Sequence, residues 1–303
     1  MRVAITGSSG MIGSALADSL LADGHEVVRL VRRAAAAAPG KGIVEKQWDP
    51  AGGRLRPSTL DGVDAVVNLA GAGIGDQRWS AAYKQELRDS RVKATATMAK
   101  AIADAEPRPR VLVSASAIGY YGATGDVRTD ESAGPGSDFL AGLCRDWEAA
   151  AQPAAAAGAR VAHPRFGLIV APGAGAFGPL VRLARLGLGG RMGSGRQYWS
   201  YVSLTDTIAG LRHILDTDAI EGPVNVTAPE PVTNREITKA IGRAVHRPTL
   251  FATPGFALRV ALGEFAGSVL MSQRVVPAKL LASGFVFEHT TPDAALAEAV
   301  AVP

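Results

Sequence analysis

The sequence predicts an α/β protein built on a doubly wound parallel sheet, with a smaller C-terminal α/β lobe on the substrate side. Three observations predict it. The chain opens with an apolar strand, Val3-Ala4-Ile5, that runs straight into the glycine-rich turn Thr6-Gly7-Ser8-Ser9-Gly10-Met11-Ile12-Gly13. Helical spacing follows at once in Ile12, Leu16 and Leu20. Strand and helix signals then alternate over the first two-thirds of the chain, as right-handed crossovers between parallel strands require.

In the turn, Gly7 permits a tight reversal, Gly10 lets the backbone approach a diphosphate, and Gly13 lets the helix pack closely on the strand. This is the Rossmann-type arrangement, in which a diphosphate rests on the exposed N–H groups of the helix N-terminus. Gly7, Ser9, Gly10, Met11, Ile12 and Gly13 are the candidate contacts. After Asp23-Gly24-His25 the chain enters a second strand, Glu26–Val31, followed by Arg32-Arg33. A site for NAD commonly places an acid here, about 20 residues past the glycines, to accept from the ribose 2′-hydroxyl. Val31 holds that position, and a guanidinium is the natural partner of a 2′-phosphate. The expected cofactor is therefore NADP(H), held through Arg32 and Arg33; a solvated surface pair is the competing reading of each arginine.

The remaining elements follow in order. Ile43–Gln47 is a third strand closed by Trp48-Asp49-Pro50, and Ala65–Ala70 is a buried fourth strand ending at Gly71. A long helix runs from the N-cap Ser80 to about Asp104, and Arg110–Ser114 is a fifth strand. A helix spans about Ser137 to Ala151, and a sixth strand begins at Arg160–His163. Ser203 with Asp206 and Thr233 with Glu236 have capping-box spacing, and Thr291-Pro292 caps a last helix. Gly173–Gly195 is a loop plus a helix. Ala34–Ala38 and Ala154–Ala157 are compositional bias and carry no functional signal.

At 303 residues and 47% hydrophobic content, the chain can bury one large domain and an appendage. We divide it into residues 1–228 and 229–303, with 166–202 contributing to the substrate cleft. The net charge is +4, from arginines scattered without a basic arm, so no nucleic-acid partner is expected. Cys144 is the only cysteine, which excludes an internal disulfide framework and a multi-cysteine metal site. It lies in a helical stretch and reads as a small buried residue rather than a nucleophile. His163 reads as a satisfied core histidine, His25 belongs to a turn, and His213, His246 and His289 are scattered, so no metal site is expected. The first strand begins at residue 2, leaving no room for a signal peptide, and the apolar stretch Phe256–Met271 is interrupted by Arg259 and Glu264. The expectation is a cytoplasmic protein without a membrane span; the oligomeric state stays open.

Thr6-Gly7-Ser8-Ser9-Gly10-Met11-Ile12-Gly13 resembles the signature of the extended short-chain dehydrogenase/reductases. Asn68-Leu69-Ala70-Gly71 is similar to their turn after strand four, which lies against the adenine ribose and diphosphate; this implies cofactor contacts at Asn68, Ala70 and Gly71. Ser114-Ala115-Ser116-Ala117-Ile118-Gly119-Tyr120-Tyr121-Gly122 resembles the strand-five block, implying a cofactor contact at Ser114 and the catalytic hydroxyl at Ser116. Pro164-Arg165-Phe166-Gly167 sits where the family's strand-six arginine lies, which implies a nicotinamide-side role for Arg165. The segment from Gly195 to Ser203 resembles one that lines the substrate cleft, implying Tyr198, Trp199 and Tyr201. Gly-Tyr-Tyr-Gly, Cys144–Glu148 and Gly193–Gln197 together resemble a narrower branch, the atypical "epimerase family" proteins (YfcH-like). That branch carries a C-terminal domain of unknown function, to which Phe251–Leu296 is similar.

The resemblance breaks at the chemistry. Ordinary members carry Tyr-x-x-x-Lys on the helix after strand five, the phenolate serving as acid/base and the lysine stabilising it. Here the matching helix reads Phe139-Leu140-Ala141-Gly142-Leu143, with Phe139 and Leu143 at the two positions. Tyr120 and Tyr121, on the loop with Ser116, are the candidate substitutes; packing residues are the other reading. Without a lysine partner, turnover through such a phenol should be slow at neutral pH and rise into alkaline conditions. Asp146 and Glu148 read either as proton carriers or as a solvated helix face, and Lys84 and Arg91 either reach the cleft or lie on the surface. Two functions remain: an NADP-dependent oxidoreductase or nucleotide-sugar-type epimerase of unknown small-molecule substrate, and a non-catalytic NADP(H)-binding regulatory or interaction protein.

Overall fold

The computed structural model describes residues 1–37 and 39–300; Ala38, the last residue of one alanine run, and the end of the 229–303 segment lie outside these. Seven parallel strands form the central sheet: β1 (Arg2–Thr6), β2 (Glu26–Val31), β3 (Ile43–Gln47), β4 (Ala65–Asn68), β5 (Val111–Ser114), β6 (Arg160–Phe166) and β7 (Gly222–Val226). Their order is β7-β6-β5-β4-β1-β2-β3, and the two-residue strand Ser116–Ala117 adds to β6. The order reverses between β1 and β4, so the connections leaving their C-terminal ends diverge and open a crevice.

The helices of eight or more residues are α1 (Met11–Ala22), α2 (Ala81–Asp104), α3 (Phe139–Ala149), α4 (Gly178–Arg185), α5 (Leu204–Asp216), α6 (Asn234–Ala244), α7 (Gly255–Leu262) and α8 (Pro292–Val300). Alternation along β1 sends Val3 and Ile5 to one face and Ala4 to the other. On the first face Leu16 and Leu20 of α1 and Leu211 and Ile214 of α5 complete the core. On the second, Ala94, Met98 and Ile102 of α2 pack over Ala4, Val28, Val66 and Leu112. Both sets of side chains are almost fully buried, and the burial of these aliphatic groups is the main force holding helices to sheet.

Ser80 caps α2 by accepting the Tyr83 amide hydrogen, and Thr233 with Glu236 forms a reciprocal capping box on α6. The box expected at Ser203 is one-sided. Ser203 accepts from the Asp206 amide, but the Asp206 carboxylate takes the amide hydrogens of Glu288 and His289 at 2.8 and 3.0 Å. That buried carboxylate therefore ties the C-terminal segment to α5. A third core of Phe177, Trp199, Tyr201, Ile237, Ile241 and Leu296 joins α4, α6 and α8. Beyond α6 the described chain is mostly helical, its one short strand Phe251–Thr253 pairing with Gly190–Met192. No helix among the described residues is long and apolar enough to cross a membrane, and no cluster of three or more His, Cys, Asp or Glu among them could hold a metal.

Candidate functional site

The crevice at the sheet's C-terminal edge is a cleft of about 1990 Å³ lined by Gly7–Gly10, the ends of β2 and β3, and Leu69–Gly73. Each glycine of the turn has its own physical reason. Gly7 has φ +64°, and a Cβ there would stand 2.7 Å from the Leu69 carbonyl oxygen; a Cβ on Gly13 would collide with the Gly7 carbonyl. At Gly10 a Cβ would meet only the Gly7 carbonyl, at 3.3 Å. Gly10 is the N-cap of α1 and offers no capping side chain, so the first-turn N–H groups, including those of Met11 and Ile12, remain available to an anion. Ser9 and Gly10 are exposed at the cleft, and Ala70 and Gly71 line its opposite wall.

The far wall is basic: Arg29, Arg32, Lys46, Arg54 and Arg56 face two acids, Glu45 and Asp49. Arg29 keeps a buried Nε without a partner. The two arginines after β2 differ. Arg33 is locked to Glu45 by paired contacts of 2.7 Å, whereas the exposed Arg32 has no ion-pair partner among the described residues. Arg33 and the Ala36 amide hold the Glu45 carboxyl down at about 2. The wall, the uncapped helix end and the glycine cradle fit an adenosine dinucleotide carrying an extra phosphate.

Asn68 and Ser114 lie elsewhere than expected. Both are fully buried. Asn68 accepts from Thr6 Oγ1 at 2.7 Å and donates to Thr95 Oγ1 at 2.8 Å and Ser114 Oγ at 3.2 Å. Thr6 Oγ1 in turn accepts the Leu69 and Ala70 amide hydrogens. These side chains shape the cleft floor from beneath.

A second network surrounds the loop after β5. Ser116 donates to Glu148 Oε1 at 2.6 Å, and Arg165 grips the same carboxylate through Nε and Nη2, both at 2.8 Å. The third Arg165 nitrogen donates to the Tyr121 hydroxyl at 2.9 Å, which donates to Asn225 Oδ1 at 2.7 Å. Arg165 is thus engaged in a buried pair, not open to a cofactor's nicotinamide side. Burial disfavours its charge, but Glu148 more than offsets that and keeps it protonated. The two tyrosines separate cleanly. Burial pushes the Tyr121 phenol up to about 12, and its hydrogen is spent on Asn225, so it is removed as a proton donor. Tyr120 stacks its ring on the Arg165 guanidinium, 3.4 Å from the ring centroid, and is only half-buried.

The face of α3 turned to this loop corrects the expected register by one residue. A Cβ on Gly119 would lie 3.2 Å from Leu140 Cβ and 3.8 Å from Cys144 Sγ, and Glu148 follows at the next i+4 position. Phe139 and Leu143 pack with Trp79, Tyr83 and Leu87, a cluster that Leu140 also joins from its other side. Leu140 and Cys144 therefore occupy the places that a Tyr and Lys would need, and burial pushes the Cys144 thiol up to about 12. Of the expected cleft aromatics, Trp199 and Tyr201 are core residues, their polar tips donating to the Val269 and Thr290 carbonyls. Tyr198 stays half-buried beneath the Arg274 guanidinium. Lys84 pairs with Glu264, Arg91 holds the Ala72 and Leu87 carbonyls, and Asp146 pairs with Arg88. His163 is not the satisfied core residue expected: its Nδ1 is buried without a partner, and burial lowers its basicity.

Residues 3–227 match the model of the NAD dependent epimerase/dehydratase family, and residues 253–299 match a domain of unknown function, DUF1731. The chain belongs to the NAD dependent epimerase/dehydratase family. It is 47% identical over 302 residues to Epimerase family protein Mb2239 of Mycobacterium bovis, covering 99% of this chain and 98% of the relative. A crystal structure of human epimerase family protein SDR39U1 (isoform 2) with NADPH superposes with a TM-score of 0.89 at 32% identity, covering all of both chains. A nucleoside-diphosphate sugar epimerase from Corynebacterium glutamicum has a TM-score of 0.80 at 36% identity, over 99% of this chain and 58% of that one.

Within this epimerase-family fold, Glu148 is the residue that gathers Ser116 and Arg165. Its one legible signal is the i, i+4, i+8 series Leu140, Cys144, Glu148, which places an acid on an otherwise apolar face. Asn225 carried no sequence signal, because its bond to Tyr121 spans more than 100 residues of chain.

Proposed function

We propose that this epimerase-family chain is an NADP(H)-dependent oxidoreductase or nucleotide-sugar-type epimerase, working in the cytoplasm on a small-molecule substrate and not on nucleic acid. Residues 1–228 form the dinucleotide-binding unit and 229–303 the C-terminal domain that completes the substrate side. Gly7, Gly10 and Gly13 form the diphosphate cradle, the N–H groups of Met11 and Ile12 meet the diphosphate, and Arg32 holds the 2′-phosphate. When bound, the nicotinamide supplies or accepts the hydride.

The observation that carries the reading is the Ser116 hydroxyl fixed on Glu148 at 2.6 Å. Because Ser116 spends its own hydrogen on a carboxylate, its lone pairs are left to accept from a substrate hydroxyl. As a substrate alcohol becomes a carbonyl, its proton passes to Ser116 while the Ser116 proton passes to Glu148; reduction runs the same path backwards. The paired Arg165 contacts keep Glu148 oriented between turnovers. Tyr120, with Arg165 under its ring, is the second hydroxyl of the site. Screening carbonyl compounds and sugar nucleotides while following NADPH absorbance tests this: turnover lost in Ser116→Ala supports it. One observation favours the non-catalytic alternative: Leu140 and Cys144 supply no tyrosine–lysine pair on α3. Tight NADPH binding with no turnover on any substrate would select that alternative.

A further inference from the structure

The C-terminal segment Ser272–Val276 is threaded between the loop after β5 and Tyr198–Ser200, and its backbone is bonded on both sides. The Thr124 amide donates to the Ser272 carbonyl, the Thr129 amide to the Arg274 carbonyl, and the Val276 amide to the Thr129 carbonyl, each at 2.9 Å. On the other side the Gln273 amide donates to the Tyr198 carbonyl at 3.0 Å, and Ser200 Oγ joins the Gln273 carbonyl at 2.9 Å to the Val275 amide at 2.8 Å. Val275 is fully buried against Ile118 and Tyr121. At the centre, the Gln273 side-chain amide spends both hydrogens, one on the Ile118 carbonyl and one on the Gly122 carbonyl, each at 3.0 Å.

Those two carbonyls bracket Tyr120. The segment Ile118–Gly122 is a single 3₁₀ turn ending at a positive-φ glycine, outside the regular ladder of the sheet. Short 3₁₀ pieces have poor internal hydrogen bonds and hold their shape only when something outside fixes them. We propose that Gln273 is a positioning residue: the C-terminal domain of unknown function serves as a clamp that sets the backbone of the Ser116–Gly122 loop, and through it the placement of Tyr120. Only a glutamine-length amide supplies two donors at this reach; a carboxylate would face two carbonyl oxygens, and an apolar chain would donate to neither. That the clamped loop is the catalytic one rests on the function proposed above; the clamp itself does not.

Hydrogen exchange read by mass spectrometry on the full-length protein tests it, with the isosteric variants Gln273→Met and Gln273→Glu. Both keep the side chain's length and remove its donors. Leu296→Ala, in the buried core between α6 and α8, is the control that loosens C-terminal packing without touching the loop. The expected result is faster exchange over residues 116–123 by about tenfold in both Gln273 variants, with the rest of the chain and the NADPH affinity unchanged. Leu296→Ala should leave the 116–123 exchange at the wild-type rate. Unchanged exchange in the Gln273 variants overturns the proposal, and so does a rise spread evenly over the chain, which would mark Gln273 as ordinary packing. Absence of turnover in the wild type would remove the catalytic reading while leaving this measurement decisive for the clamp.

Discussion

Replacing Glu148 by leucine removes the one group that gathers Ser116 and Arg165. The carboxylate receives three donors, at 2.6, 2.8 and 2.8 Å, and the paired side chains are only 13% and 3% exposed. A surface pair would contribute little, but a buried guanidinium stripped of its counter-charge costs about 3–5 kcal/mol. For a chain of 303 residues that corresponds to a fall in Tm of roughly 5–8 °C. Urea unfolding followed by circular dichroism gives the stability directly. The double variant Glu148→Leu with Arg165→Met should recover most of the loss, because an apolar pair of similar volume carries no desolvation penalty. Recovery will be incomplete, since Arg165 also donates to Tyr121. A single variant within about 1 kcal/mol of wild type, or a double variant no more stable than the single, would refute the argument that this pair is desolvated and mutually dependent.

Gly10→Val should abolish NADPH binding at nearly unchanged Tm, because its side chain enters the cleft side of the turn; Gly13→Ala should lower stability, because its Cβ meets the Gly7 carbonyl. Tyr121→Phe should cost about 1–3 kcal/mol by leaving Arg165 and Asn225 short of a partner, whereas Tyr120→Phe should leave stability intact and slow turnover. Glu45→Gln should release Arg33 to the cleft and tighten NADPH binding by roughly three- to tenfold with little change for NADH, read by calorimetry. Glu45 is held at about 2 against an ordinary 4.5, so the Arg33 clamp is complete above pH 4.5 and opens only as pH falls toward 2; the difference between variant and wild type should therefore be flat across neutral pH.

The sheet was legible because its signals are local. The bounds of Ile43–Gln47 are those expected, and Ser80 caps the helix it was expected to cap. Gly7 and Gly13 of the first turn meet the steric demands that their spacing implies. What the sequence hid is contact between distant residues. Asn68 has the position of a ligand contact, yet Thr6, Thr95 and Ser114 consume its amide; nothing in one strand records what the next offers. Arg32 and Arg33 are chemically identical in sequence, and only the register of β2 on β3 brings Glu45 to one of them. Trp199 and Tyr201 show how aromatic side chains near a site can serve the core, since a buried ring needs only one polar partner for its tip. On α3, a one-residue shift rotates the helix by about 100° and exchanges Phe139 and Leu143 for Leu140 and Cys144. Neither register carries a tyrosine or lysine.

Calorimetric titration of the protein with NADPH and with NADH tests the central claim most directly. NADPH should bind at least tenfold more tightly, a difference of about 1.4 kcal/mol, and Arg32→Ala should erase that preference without unfolding the protein. Equal affinities, or a preference that survives Arg32→Ala, would contradict the assignment of the basic wall beside β2 to the 2′-phosphate.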